Sequence, residues 1–249
     1  MPGRAVEAML LTAIGIALTI LVFMFLRPYL FPEKGLELQL IGDNIINLAQ
    51  ILDKGGGKFY SKSTYVLQSN GSLLRINITV FPSKEAKVYT ISLPVIKTHI
   101  SGVKTLILRG DPSPYTNLTK LALVTTNGNV VETIARPVIQ IEDCNFYGFN
   151  GKFIKITFTK LTIEHANKIL ENFTATQGST VDFFLNNTYQ LPVEINYGKN
   201  ISIIFEILDT NGNIMNVLDI PLRREIKIDQ DTYGVFLIQY TFDEIVAKV

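Results

Sequence analysis

The sequence predicts a mainly β protein, with an N-terminal transmembrane helix followed by two tandem antiparallel β-sandwich domains. Three observations carry this expectation. Ala8 to Leu26 (AMLLTAIGIALTILVFMFL) holds nineteen residues without a charge. The rest of the chain is a series of short runs rich in Val, Ile, Tyr and Thr, separated by Gly, Pro and Asn turns. Part of that series occurs twice.

The apolar run comes first. At ~1.5 Å per helical residue it spans ~28 Å, close to the ~30 Å hydrocarbon core of a bilayer. Arg27-Pro28-Tyr29-Leu30-Phe31-Pro32 follows it, without the small-residue pattern of a signal cleavage site. A retained anchor in membrane lipid is therefore expected. Pro28 and Pro32 end the helix, and Tyr29 and Phe31 suit the outer interface. This divides the chain into a cytoplasmic stub and helix (1–34), a first module (35–137) and a second module (138–249).

The repeat carries the rest of the fold class. Asn70-Gly71-Ser72-Leu73-Leu74-Arg75-Ile76-Asn77-Ile78-Thr79 matches Asn150-Gly151-Lys152-Phe153-Ile154-Lys155-Ile156-Thr157-Phe158-Thr159 at an offset of 80 residues. Thr126-Asn127-Gly128-Asn129-Val130 matches Thr210-Asn211-Gly212-Asn213-Ile214 at an offset of 84. Collinear matches at nearly equal offsets argue for a duplicated module. Within the first module, Gly35 to Leu40 alternates like a strand, and Asp43 to Leu52 reads as helix or strand. Lys54 to Lys58 reads as a loop. Tyr60 to Gln68, Leu73 to Phe81, Lys87 to Leu93 and Val103 to Leu108 are strand-like. Leu121 to Thr125 and Val130 to Ala135 flank an Asn-Gly hairpin turn. In the second module Phe153 to Thr159, Val181 to Leu185, Ile201 to Leu208 and Ile214 to Leu218 are strands. Thr162 to Phe173 has helical spacing, with Ile163, Ala166, Ile169 and Leu170 on one face. Gly234 to Phe242 completes the second sheet, or pairs with the edge of a neighbouring chain. Module size and strand spacing resemble immunoglobulin-like domains, without their cysteine-tryptophan signature.

Composition excludes several function classes. The net charge of +1 offers no basic field, so no nucleic acid is expected. The single cysteine, Cys144, forms no internal disulfide, and its acidic neighbours disfavour the thiolate. Two histidines, His99 and His165, lie far apart in sequence, so no metal site is expected. Asp209-Thr210-Asn211-Gly212 and Asp229 to Gly234 look like calcium loops, but both lack the closing glutamate. Gly55-Gly56-Gly57-Lys58 lacks the spacing of a phosphate loop, and no nucleophile motif occurs. The chain reads as a non-enzyme without a cofactor. Asn-x-Ser/Thr occurs at Asn70, Asn77, Asn117, Asn172, Asn186 and Asn200, all beyond the apolar run. These are glycosylation candidates, and they favour an N-inside, body-outside orientation.

Glu7, set between a short N-terminal segment and about twenty apolar residues, resembles the archaeal type IV pilin-like proteins. These include archaellum-associated membrane proteins with β-sandwich ectodomains. The resemblance covers residues 1 to about 30 and implies processing after Gly3 or Ala5, with Glu7 as an assembly residue. It implies an anchor helix that, in filament subunits, becomes the filament core. The expected function is a cell-surface structural protein that presents its modules to a surface layer, a filament or further copies of itself. The alternative is an accessory subunit docking onto a membrane enzyme complex.

Overall fold

Ile45, Leu48, Ala49 and Leu52 recur at helical spacing, and all four are buried. They lie on α1 (Lys34–Lys54), which ends at Gly55, with φ +75° and its N–H donating to Leu52 O. The computed structural model describes residues 34–99, 113–116, 123–127, 130–217 and 220–249. The apolar run 8–26, Glu7, Asn117 and the expected strand 103–108 lie outside the described residues. Among the described residues no helix is long and apolar enough to cross a membrane. Helix α1 corrects the expected strand at Gly35–Leu40. That stretch is built of Leu, Glu and Gln, which favour helix intrinsically, and it runs straight into the periodic segment behind it.

Among the described residues, fourteen strands follow in chain order. The first five are β1 (Gly56–Tyr60), β2 (Tyr65–Phe81), β3 (Glu85–His99), β4 (Leu123–Asn127) and β5 (Val130–Ile134). Then come β6 (Val138–Phe146), β7 (Phe149–His165), β8 (Lys168–Leu170), β9 (Asn172–Ala175) and β10 (Thr180–Gln190). The last are β11 (Glu194–Leu208), β12 (Asn216–Val217), β13 (Ile220–Pro221) and β14 (Arg223–Lys248). The expected loop at Lys54–Lys58 is instead the helix end and the start of β1, which pairs with β10. Within the expected strand Ile214–Leu218 the described residues form β12 and a bridge between Ile214 and Leu208, and residue 218 lies outside them.

The helix expected at Thr162–Phe173 is also corrected. β7 continues through it, with Leu161 opposite Ile245 and Ile163 opposite Ala247. Ala166 and Asn167 then take positive φ (48° and 63°) and turn the chain into β8. Of the supposed helical face, Ile163 is buried as part of β7, whereas Ala166 and Ile169 are exposed. A period of 3.6 and a strand interrupted by a tight turn placed the same residues at similar spacings, and pairing with β14 decided between them.

The strands fold over one core as two layers. One layer runs β4-β5-β3-β2-β11 and ends at the first part of β14. The other runs β6-β7, the later part of β14, β10 and β1. β2 and β3 lie against β7 without pairing to it. Leu74, Ile76 and Ile78 of β2, and Ile154, Ile156 and Phe158 of β7, are buried in the same cluster. These are the matched positions of the internal repeat, and they face one another across a shared interior. The expected tandem modules 35–137 and 138–249 are therefore corrected. β2 of the first pairs with β11 of the second, β1 pairs with β10, and residues 43–249 form one compact unit.

β14 ties the layers together. Its start pairs antiparallel with β11 over Arg223–Asp229; residues 230–233 then loop out, and pairing resumes at Gly234. From Val235 it also runs parallel to β7, and from Thr241 antiparallel to β10. The run Gly234–Phe242 is thus flanked on both sides, and no edge remains there for a neighbouring chain.

Candidate interaction face

Side chains on a strand alternate between faces, and residues paired across strands share a face. In the second layer the inward set is the core. The outward set is set by register. Tyr197 stands beside Val235, Gly151 and Cys144; Ile195 stands beside Leu237, Phe153 and Glu142. Phe149, two residues before Gly151, shares that face and meets the Tyr197 ring edge-on at 6.3 Å between centroids. Phe146 pairs with Phe149, and its ring lies 4.5 Å from that of Tyr147 in the connecting turn.

This face is apolar and open. Tyr147 is 87% exposed, Phe149 50%, Tyr197 48% and Ile195 46%. Beneath them Val235 is fully buried and Leu237 nearly so. Gly151 makes this layering possible, because a Cβ there would collide with the Val235 side chain and its carbonyl. Gln239, Lys155 and Gln140 form the next row and bound the patch with polar groups. A contiguous cluster of aromatic and aliphatic groups with a polar border is the anatomy of a protein contact surface.

Cys144 sits at the margin of this face. Burial pushes its thiol pKa up, the charge of Asp143 adds to that, and Lys152 opposes it. Lys152 is engaged with Asp143 at 2.5 Å. The thiol is thereby held in its unreactive form.

On the other layer, charged groups are paired. Glu206 is buried and receives Arg75 Nε on Oε2 at 2.6 Å and Arg223 Nε on Oε1 at 3.1 Å. Between the layers, Tyr89 Oη donates to Glu194 Oε1 at 2.7 Å, and Lys87 Nζ donates to Glu194 Oε2 at 3.2 Å. Burial, then the hydrogen bond and charge of Glu194, push the Tyr89 phenol up to about 12. Burial, then the same carboxylate, also raises Tyr240, whose ring lies 5.4 Å from that of Tyr89.

The glycosylation candidates scatter. Asn70 and Asn172 are exposed and lie close together, since Gln68 pairs with Asn172 and Ser69 N donates to Glu171 O. Asn186 is exposed and donates to Glu244 Oε2 at 3.1 Å. Asn77 and Asn200 are half-buried within β2 and β11. The calcium-like loops hold no cation cluster. Asp209 accepts from the backbone N–H groups of Asn213 and Asn211 at 2.8 and 2.9 Å, a local turn that lowers its pKa, chiefly through the Asn213 bond. Asp229 to Gly234 is the loop-out of β14. Among the described residues no group of three or more His, Cys, Asp or Glu is placed to hold a metal.

No protein-family model, curated protein or solved structure matches this chain. Sequence reasoning did not single out Phe149, Ile195 or Tyr197. Each sits in an ordinary alternating run, and only the pairing of β7, β14 and β11 brings them together.

Proposed function

We propose that this chain is a non-enzymatic surface protein, held at the membrane by the apolar run 8–26, that assembles with other protein subunits through the aromatic face. The observation that carries this reading is the exposed cluster of Tyr147, Phe149, Ile195 and Tyr197 over a buried Val235 and Leu237. Tyr and Phe are favoured in the centres of protein contacts because they bury much area at little conformational cost. The type IV pilin-like resemblance of the N-terminus supports assembly as the purpose of that contact.

The test is sedimentation of the full chain, purified in mild detergent from its native membrane. Wild-type protein is expected as an oligomer or with a co-purifying subunit. The variant Phe149→Ser/Tyr197→Ser is expected as the free chain, with its unfolding transition retained. Assembly that survives the double substitution would remove this face from the reading, and a wild-type monomer without partners would remove the reading itself. The mature amino terminus, determined by mass spectrometry, tests the pilin-like version: cleavage after Gly3 or Ala5 is its expected outcome.

A further inference from the structure

The inward face of β3 reads Leu93, Val95, Lys97, His99, and that of β5 reads Ile134, Glu132, Val130. The first members of each lie in the apolar core. Beyond them the layer carries charge. Lys97 and Glu132 are register partners, and Lys97 Nζ meets Glu132 Oε1 at 2.9 Å. Glu132 is 93% buried, given its 7% exposure, and its Oε2 has no hydrogen-bond donor among the described residues. Burying a carboxylate oxygen without a donor is costly, and a buried ion pair is a poor means of gaining stability.

Two cavities meet at this pair. One, of about 400 Å³, is lined by Gly71, Ser72, Asp209, Thr210 and Asn216 among others. The second, of about 510 Å³, is lined by Thr64, Val66, His99 and Val130. Lys97 and Glu132 line both. Each volume falls in the range of about 300–1,000 Å³ usual for small-molecule sites. Gly71 lines the first cavity and lets the β2 backbone pack closely on Val95. It lies at the β2 bulge, where a Cβ would stand 2.5 Å from Val95 Cβ and 3.1 Å from Gln68 Oε1. That Gln68 oxygen is a second buried acceptor without a donor among the described residues.

We infer that this cleft binds a neutral polyhydroxylated ligand, a sugar, through the Lys97–Glu132 pair. The pair offers an unused carboxylate oxygen beside an ammonium that has three hydrogens to donate. Neighbouring hydroxyls on a sugar ring stand about one hydrogen-bond length apart, so one donates to Glu132 while the next accepts from Lys97. The terminal torsion of a glutamate is broad, so the carboxylate turns to meet the ligand without leaving its lysine. An anionic ligand is disfavoured by Glu132 and Asp209, and the Lys97 ammonium already offsets the Glu132 charge that would draw a cation. Val66, Val130 and Met215 offer apolar surface for the C–H face of the ring.

The experiment is a titration of the full chain in detergent with methyl α-mannopyranoside, read by amide chemical shifts. Shifts centred on Lys97, Glu132 and Gly71 are expected, with a dissociation constant of about 1–10 mM. The 3-deoxy analogue, which has no adjacent hydroxyl pair on its ring, is expected to bind at least about tenfold more weakly. Lys97→Met/Glu132→Gln removes both charges together and leaves neither stranded, so the fold is retained; it is expected to lose the shifts. A polymer-borne source is tested with an immobilised mannan, whose binding is expected to vanish after periodate cleavage of its diols. Equal binding of the deoxy analogue, unchanged binding by the double variant, or no shifts at all would overturn the inference and leave bound water as the donor to Glu132. None of these readouts depends on assembly through the aromatic face.

Discussion

Tyr89 and Tyr240 face each other across the interior, with Glu194 accepting from Tyr89, and this arrangement keeps both phenols neutral. The consequence for stability has a definite sign. The folded pKa of Tyr89, about 12, lies above its ordinary value of 10.0, so between these values the folded state holds a proton that the unfolded chain has lost. The contribution is complete below pH 10 and disappears as pH rises towards 12. Urea midpoints measured from pH 9 upward should therefore fall through that window, and Tyr89→Phe should flatten the fall. Phenolate absorbance of the last tyrosines should appear together with unfolding. At this scale the sequence was partly legible. The acidic setting of Cys144 was visible from Glu142 and Asp143 alone. The pairings Tyr89–Glu194 and Lys97–Glu132 span 105 and 35 residues and leave no local trace.

Among the elements, β7 shows what a strand needs to lie parallel to a long neighbour. Its register with β14 is unbroken from Gly151–Val235 to Glu164–Lys248. Gly151 opens that register, where the Val235 side chain and carbonyl occupy the space a Cβ would take. Gly151→Ala should destabilise the protein by about 1–3 kcal/mol through overpacking. For a chain of this size each kcal/mol corresponds to a thermal shift of about 2–4 °C. Gly148→Ala is the contrast. It stands at φ +81° with open space around it, so its smaller cost is backbone strain alone. Most strands were readable because alternation and turn residues are local signals. Two errors exchanged strand and helix: at Gly35–Leu40, where helix propensity and the periodic segment behind it outweighed a period of two, and at Thr162–Phe173, where the turn at Ala166-Asn167 lacks glycine and proline.

For the molecule as a whole, duplication of sequence did not mean duplication of domains. The matched strands β2 and β7 supply equivalent core residues, yet they line opposite walls of one interior. Pairing of β2 with β11 runs from Asn200–Phe81 to Leu208–Leu73, so either half alone lacks its partner. Residues 138–249 expressed alone should show no cooperative unfolding transition, whereas co-expression with residues 1–137 should restore one. Two autonomous sandwiches would each melt independently. Strand content was legible because it is written residue by residue. The choice of partner strand was not, because pairing across more than a hundred residues is decided by the closed core and not by any local pattern.

β14 is the last of the described strands in chain order, and it is also the one that three others need as a neighbour. During synthesis β7, β10 and β11 all leave the ribosome before it. Until Arg223–Lys248 emerges, the growing chain carries open strand edges and the half-exposed faces of Ile154, Ile156 and Phe205. Closure is therefore a late event on the timescale of chain production, and the interval before it is when aggregation competes with folding.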